Sequence, residues 1–345
     1  STFDPFFYQK KIMIVLGIET SCDETSAAVI KDGFLMSNVV LSQEIHKEFG
    51  GVVPEIASRE HEEKLTSIIQ LALDRASVSK SDLDAIAVTY GAGLMGALLV
   101  GLNVAKGLAI GLNIPFIGVN HMEGHLYANM IDNPQMDYPF LCMLVSGGHT
   151  QIWRVDSFGE YTLFSNTVDD AAGEAFDKGA RILGLKYPGG PEIQREAIGG
   201  NPSAFAFPRP TLKRSEFDFS FSGLKTSILY TCKKMTSDEL VDNRSDIAAS
   251  YQEAIIDTLL QKLKKVHLKT NINRISVAGG VAANSRFREK AKQISEKLSL
   301  NIHFPKMELC TDNAAMIAMA GYERLKIGES SPLELAVIPN LSLAD

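Results

Sequence analysis

Apolar periodicity and turn signals lay out one series of elements twice along the chain, and this repetition restricts its fold more than any other feature. The first half predicts strands at 12–18, 26–30 and 34–41, a helix at 54–76, a strand at 85–89, a helix at 94–112, a strand at 115–119 and a short helix over 121–125. Lys31-Asp32-Gly33 suits the hairpin between the second and third strands. Near residue 139 the order begins again. Strands are expected at 140–145, 151–155 and 161–165 and a helix at 171–183; after an interruption come a helix at 246–268, a strand at 274–278, a helix at 285–298, a strand at 301–304 and a helix at 312–325. Two copies of one β-β-β-α-β-α-β-α series imply a duplicated α/β fold of two lobes with a central cleft. Residues 1–11 then form an N-terminal extension, 12–130 with 326–345 the first lobe, and 131–325 the second. The interruption at about 186–245, rich in Pro, Gly, Phe and Ser, reads as an insertion that shapes a substrate site.

Bulk properties agree. A chain of 345 residues can bury two cores, and 45% hydrophobic with 22% charged residues is ordinary for a globular protein. Cysteines at 22, 142, 232 and 310 make no C-x-x-C pair, which fits reduced thiols. Cys22 is a candidate nucleophile by its loop position alone. Residues 1–11 lack the apolar core of a secretory leader. The stretch 94–112 contains Asn103, Lys106 and four glycines and predicts a buried helix, so a cytoplasmic protein without membrane attachment is expected. The net charge of −7 is uneven: residues 181–300 hold 20 Lys and Arg against 12 Asp and Glu, a net +8 that leaves −15 elsewhere. Such asymmetry suits an anionic partner on one face, although solvated helix faces explain it equally well.

Four motifs carry chemistry. His121-Met122-Glu123-Gly124-His125 sets two imidazoles one helical turn apart on one face, which is half of a metal site. In the H-E-x-x-H proteases the acid follows the first His directly. Glu123 instead lies about 200° round the helix from His121 and points away from any metal the pair holds. Asp312 begins the last helix near a strand end; a helix cap accounts for it as well as a ligand does. Two His and a carboxylate with open positions suit a divalent ion such as Fe(II). Each lobe opens with a glycine-flanked polar turn, Gly17-Ile18-Glu19-Thr20-Ser21-Cys22-Asp23-Glu24-Thr25 and Val145-Ser146-Gly147-Gly148-His149-Thr150, and the facing turns would clamp a nucleotide's phosphates. The run from Gly279 to Asn284 leads into a helix N-terminus, leaves room for a base or ribose, and gives Asn284 a donor and an acceptor to offer. Asp177, one turn into its helix, either pairs with Lys178 or Arg181 or accepts ligand hydroxyls.

Eight motifs in order make a resemblance. They are residues 17–25, 121–125, 145–150 and 170–178, Tyr187-Pro188-Gly189-Gly190-Pro191, residues 219–226 and 279–284, and Cys310-Thr311-Asp312-Asn313. Over 12–341 the chain resembles the bacterial branch of the Kae/TsaD family, in the actin-like, RNase H-like ATPase superfamily. The resemblance implies a tRNA-modifying acyltransferase. It would move a threonylcarbamoyl group from threonylcarbamoyl-adenylate to the exocyclic amine of the adenosine 3′ of the anticodon in tRNAs reading ANN codons. By matching position, His121, His125 and Asp312 would hold one divalent metal, Fe(2+) before Zn2+. Leu144, Val145, Ser146, Gly147, Gly148, Asp177, Gly190 and Asn284 would bind the adenylate or ATP. Implied partners are tRNA, a TsaB-like lobe, a TsaE-like ATPase and an upstream synthase that makes the adenylate. Lys262, Lys264, Lys265, Arg286, Arg288 and Lys292 become a candidate tRNA surface. Asp23 and Glu24 are candidates for proton handling. Ala92 and Gln194 depart from the family pattern, which more often has Pro and an acid there.

Rival readings fare worse. A small-molecule kinase or ATPase of the same superfamily needs the phosphate clamps but not two His and an Asp converging on the cleft. A metalloprotease needs a base beside a metal-bound water, and Glu123 points the wrong way. A non-catalytic assembly subunit would be free to lose the metal ligands, all of which are present.

Overall fold

The chain's fold is known here from a computed structural model, which describes residues 12–131, 133, 136–212 and 215–343; the extension expected at 1–11 lies outside the described residues. Ile14–Glu19 forms β1, whose apolar run is covered on both faces. It pairs antiparallel with β2 (Glu24–Lys31), which turns at Asp32-Gly33 into β3 (Phe34–Ser42). A short helix, α1 (His46–Phe49), leads to α2 (Pro54–Ala76), which buries Leu65, Ile68, Ile69 and Leu73 and has Pro at its start. Next come β4 (Ala85–Gly91), α3 (Met95–Leu112), β5 (Phe116–Asn120) and α4 (His121–Tyr127), with β4 parallel to both β1 and β5.

The second lobe repeats this plan. β6 (Phe140–Val145), β7 (Thr150–Ser157) and β8 (Glu160–Asn166) form a meander, followed by α5 (Ala172–Ile182). The interruption holds α6 (Gly189–Glu196) and α7 (Ser222–Lys233). Then follow α8 (Ser237–Thr270), β9 (Arg274–Ala278), α9 (Ser285–Leu298), β10 (Asn301–His303) and α10 (Ala314–Lys326). The sheets run β3-β2-β1-β4-β5 and β8-β7-β6-β9-β10, the same order with the same mix of antiparallel and parallel pairs. The duplicated two-lobed α/β fold expected from the sequence is present.

Three details differ from the sequence reading. Helix α8 begins nine residues before the expected 246, because Thr236 and Glu239 close a reciprocal capping box. Strand β2 begins at Glu24, so this acid is paired in the sheet rather than held in the turn. The last helix, given by the repeat to the second lobe, packs on the first sheet against β1, β2 and β4 and on α4. A Cβ on Gly17 would lie 2.4 Å from the Ala314 carbonyl and 2.7 Å from the Ala318 Cβ, so glycine permits this close helix–sheet approach. The segment 331–343 also returns to the first sheet, where Leu335 and Val337 join the core under α2 and α3. One buried cluster spans both lobes and contains Val15, Val119, Leu126, Phe140, Leu144, Trp153, Met316 and Ile317.

Among the described residues one helix, α3, is long and apolar enough to cross a membrane. It packs on β4 and α2, and Met95, Leu99 and Ile110 line an exposed stripe along it.

Two glycine substitutions separate packing from chain entropy. Gly17→Ala should lower stability by about 1–3 kcal/mol through overpacking against α10. Gly107→Ala on α3, where a Cβ meets nothing within 4 Å, should be neutral or raise stability by up to about 1 kcal/mol. Urea unfolding midpoints of the two variants check the opposite signs.

Candidate active site

Strand β5 ends at Asn120, whose side chain accepts the Met122 N–H and starts α4 at once, so both histidines sit on the first turns of a helix at a strand end. Their rings lie 4.8 Å apart, edge to face. On the other side, Asn313 caps α10 by accepting the Met316 N–H, which releases the neighbouring Asp312 carboxylate from capping. Asp312 Oδ1 lies 3.1 Å from His125 Nε2 and 3.5 Å from His121 Nε2, and the three donor atoms fall within 4.8 Å of one another. Donors bound to one ion at about 2.1 Å stand about 3.0–3.4 Å apart, close to the two Asp312–imidazole separations, and the N, N, O donor set suits a divalent metal.

A buried carboxylate missed by the sequence reading completes this arrangement. Glu19, at the end of β1, accepts from the Ser21 N–H at 2.5 Å and the Thr89 hydroxyl at 2.6 Å, and lies 3.2 Å from His121 Nδ1. It fixes the ring so that Nε2 faces Asp312, the usual carboxylate–histidine support of a metal ligand. The sequence signal was an acid ending an otherwise apolar strand. Burial alone would lower His121, but Asp312 and Glu19 outweigh it and push the imidazole up to about 9. Burial likewise opposes the charge on Asp312, yet His121 and His125 hold its carboxyl well below the ordinary range. Glu123, fully buried, faces away from the cluster as its helical phase predicts, bonded to Arg324 and Tyr161.

The first-lobe turn contributes Cys22, Asp23 and Glu24. Burial, then Asp23 and Asp312, pushes the Cys22 thiol far up, which leaves no thiolate for nucleophilic attack. Burial, then the charges of Asp312 and Asp23, raises the Glu24 carboxyl well above its ordinary value.

In the second lobe Gly173 and Gly279 press on the turn after β6. Their Cβ atoms would approach the Ser146 carbonyl to 2.6 Å and the Val145 carbonyl to 2.5 Å. Gly147, Gly148 and Gly190 face open space, as backbone meant to meet a ligand must. Leu144 and Val145 bury their side chains in the core, so only their backbone is available. Asp177 pairs with neither Lys178 nor Arg181; it accepts the Gly189 N–H at 2.6 Å, and Lys178 binds Asp170 and Glu174. Asn284 caps α9 through Phe287 N–H and donates to Gln252, so both ends of its amide are engaged. Gln194 accepts the Ser285 N–H at 2.7 Å, where its neutral amide helps to cap α9.

Two further residues lacked a sequence signal of their own. His149, pushed down to about 4 by burial and then by the nearby His121 and His125, brings a neutral imidazole from the second lobe toward the cluster. Burial, then the charges of Asp177 and Asp23, pushes the Tyr187 hydroxyl up to about 12.

Half of the candidate tRNA surface is committed elsewhere. Lys262 is 3% exposed and donates to the Glu216 carbonyl. Arg286 is held by Glu253 and Glu289, and Arg288 by the Ala282 and Pro305 carbonyls. Lys264 and Lys292 are exposed, as are Lys225, Lys233 and Lys234 on or just after α7.

The TsaD family model, described as tRNA N6-adenosine threonylcarbamoyltransferase, matches residues 34–319. A protein of that name from Thermosipho africanus is 54% identical over 332 residues, 96% of this chain and 100% of that one. Another from Kosmotoga olearia is 52% identical over 96% of this chain and 99% of its own. Among solved structures, HypF from T. kodakarensis has a TM-score of 0.62 at 14% identity, over 92% of this chain and 48% of that one. The Acidaminococcus fermentans (R)-2-hydroxyglutaryl-CoA dehydratase component A has a TM-score of 0.56 at 15% identity, over 91% and 99%. These two share with this chain the two-lobed fold alone. From the family match and the full-length relatives, the chain belongs to the TsaD family of tRNA N6-adenosine threonylcarbamoyltransferases.

Proposed function

We propose that this chain transfers the threonylcarbamoyl group of threonylcarbamoyl-adenylate to the exocyclic amine of the adenosine 3′ of the anticodon in tRNAs reading ANN codons. The observation that carries the reading, beside family membership, is the convergence of His121, His125 and Asp312 at the strand ends. In the reaction the adenosine N6 bonds to the carbamoyl carbon, the bond from that carbon to the phosphate oxygen breaks, AMP leaves and N6 loses one proton. The open backbone of Gly147, Gly148 and Gly190, with Ser146 beside it, would bind the adenylate, steadied by the buried Leu144 and Val145, with Asp177 and Asn284 at its ribose and base. His121, His125 and Asp312 would hold one divalent ion, iron(II) in preference to zinc, which supplies charge stabilisation on the acyl-phosphate oxygens. Asp23 and Glu24 are the candidates to accept the amine proton. Burial and the charges of Asp312 and Asp23 raise the Glu24 carboxyl well above its ordinary value, which makes its carboxylate more basic than a free one.

The tRNA would meet the second lobe through Lys225, Lys233, Lys234, Lys264 and Lys292. A TsaB-like lobe would dock on α2 and α3, where Leu71, Met95, Leu99 and Ile110 are exposed. A TsaE-like ATPase and an upstream synthase complete the cycle, in the cytoplasm where tRNA is found.

With partners, ATP, threonine and bicarbonate, the wild type should form threonylcarbamoyladenosine on an unmodified ANN-decoding tRNA, read by nucleoside mass spectrometry. His121→Ala and Asp312→Asn should each lower the yield by more than about 100-fold. Absence of product from a folded, metal-loaded wild type in a competent mixture would remove the transferase reading.

Metal binding should release protons. His121 is raised to about 9, so its ion pairs stabilise the metal-free protein fully below about pH 6.5 and are lost as pH rises through about 9. Binding at Nε2 must expel that proton, so affinity should climb with pH up to about 9. Zinc titration calorimetry at pH 7 in buffers of different ionisation enthalpy should show about one proton released per ion; none released contradicts the assignment. Glu19→Gln should weaken zinc binding by about 10–100-fold in a chelator competition.

A further inference from the structure

The acid at the centre of the His121–His125 motif has no part in the proposed chemistry, yet it is one of the most fully satisfied carboxylates in the chain. Glu123 is 0% exposed. Its Oε2 accepts from Arg324 Nε at 2.7 Å, and its Oε1 from Arg324 Nη2 at 2.8 Å and from the Tyr161 hydroxyl at 2.7 Å. Arg324 lies on α10, the helix that begins two residues after Asp312. A second contact sits nearer the cluster: a Cβ on Gly124 would come within 2.8 Å of Ile317 Cδ1 and 3.2 Å of Met316 Cγ. Helix α4 is only seven residues long, so its own hydrogen bonds define its rotation weakly. Gly124 sets how closely it approaches α10. The two-pronged Arg324 fork, directional where a single charge contact is not, sets how it is turned.

We infer that Glu123 is a positioning residue for the metal centre, whose buried ion pair with Arg324 fixes the rotation of α4 so that His121 and His125 converge on Asp312. The pair specifies arrangement more than it stabilises: a rotated α4 would leave the fully buried Glu123 carboxylate without its guanidinium, while Arg324, its side chain 26% exposed, would keep its other partner, Glu329. Tyr161 brings the second lobe into the same node. Phe158, in the β7–β8 turn, lies 5.7 Å from the Arg324 guanidinium and 5.2 Å from the Tyr127 ring. The inference rests on the metal assignment of His121, His125 and Asp312.

The test uses cobalt(II) in the full-length protein, reading the visible d–d bands at saturation and the Kd by chelator competition. Wild type should bind one ion with bands of imidazole–carboxylate ligation. Failure to do so would overturn the metal assignment and this inference with it. In Glu123→Gln the bands should shift and the Kd should rise by about 10–100-fold. The double variant Glu123→Gln/Arg324→Met removes both charges of the pair and so separates loss of the fork from the cost of leaving one partner behind. Its bands and Kd should stay altered if rotation is what the pair supplies. Wild-type bands and affinity in either variant would overturn the positioning role while leaving the metal assignment intact. Should Glu123→Gln fail to fold, Arg324→Lys, which keeps the charge and loses the fork, takes its place with the same two outcomes.

Discussion

Helix α10 can lie against the first sheet because β1 offers it a glycine. With no side chain at Gly17, the backbone of Ala314 and the methyl of Ala318 settle where a Cβ would clash. Gly321 does the same further along, where an added Cβ would come within 2.3 Å of the Ala87 methyl. This contact carries the end of the second lobe back across the molecule. It delivers Asp312 to His125 over a sequence separation of 187 residues. Asn313 then takes the capping role that would otherwise occupy Asp312. The donor cluster thus depends on helix–sheet packing, with the caps of Asn120 and Asn313 and the polar contacts of Glu19 and Glu123 setting its details.

That packing gathers Glu19, Glu24, Asp312 and two imidazoles in one buried region, a group that is stable only if its charges offset one another. Glu19 and Asp312 are held ionised by His121, which they in turn hold protonated, while burial and the charges of Asp312 and Asp23 raise the Glu24 carboxyl. A divalent cation at the three donors would replace the His121 proton as the positive charge among these acids. His121, His125, Asp312 and the supporting Glu19 all sit at strand ends or helix starts, positions held more rigidly than loops.

Local rules exposed much of this in the sequence. Period-two and period-3.6 patterns gave the repeated elements, and the four-residue spacing of His121 and His125 placed both on one helix face. The phase of Glu123 put it on the far side. What local rules missed was non-local. Glu19 reads as the end of an apolar strand, and only the fold brings it to His121. Arg324 reads as a cation near a helix C-terminus, and only α4 reveals its partner. Charge counting failed for the opposite reason. Lys262, Arg286 and Arg288 add to a basic segment but are consumed by carbonyls and acids that the segment packs against. The early start of α8 was legible in Thr236 and Glu239, a capping box masked by the polar residues that follow it.

Duplication gave the lobes equivalent turns, yet their charges have diverged. The turn from β1 to β2 holds Asp23 and is flanked by Glu19 at the end of β1 and Glu24 at the start of β2, whereas residues 145–150 at and after the end of β6 contain no acid and leave Gly147 and Gly148 facing open space. At an effective dielectric of about 20, like charges about 4 Å apart repel by about 4 kcal/mol, so a phosphate is strongly disfavoured beside the first turn unless a cation intervenes. The second turn opposes it with backbone N–H groups and a neutral His149. Under the proposed reaction this polarity would orient the adenylate, its phosphate toward the second lobe and the acids of the first lobe on the side where the amine must lose its proton. A symmetric pair of clamps would hold a nucleotide in either direction; the acids restricted to one of them choose a single direction.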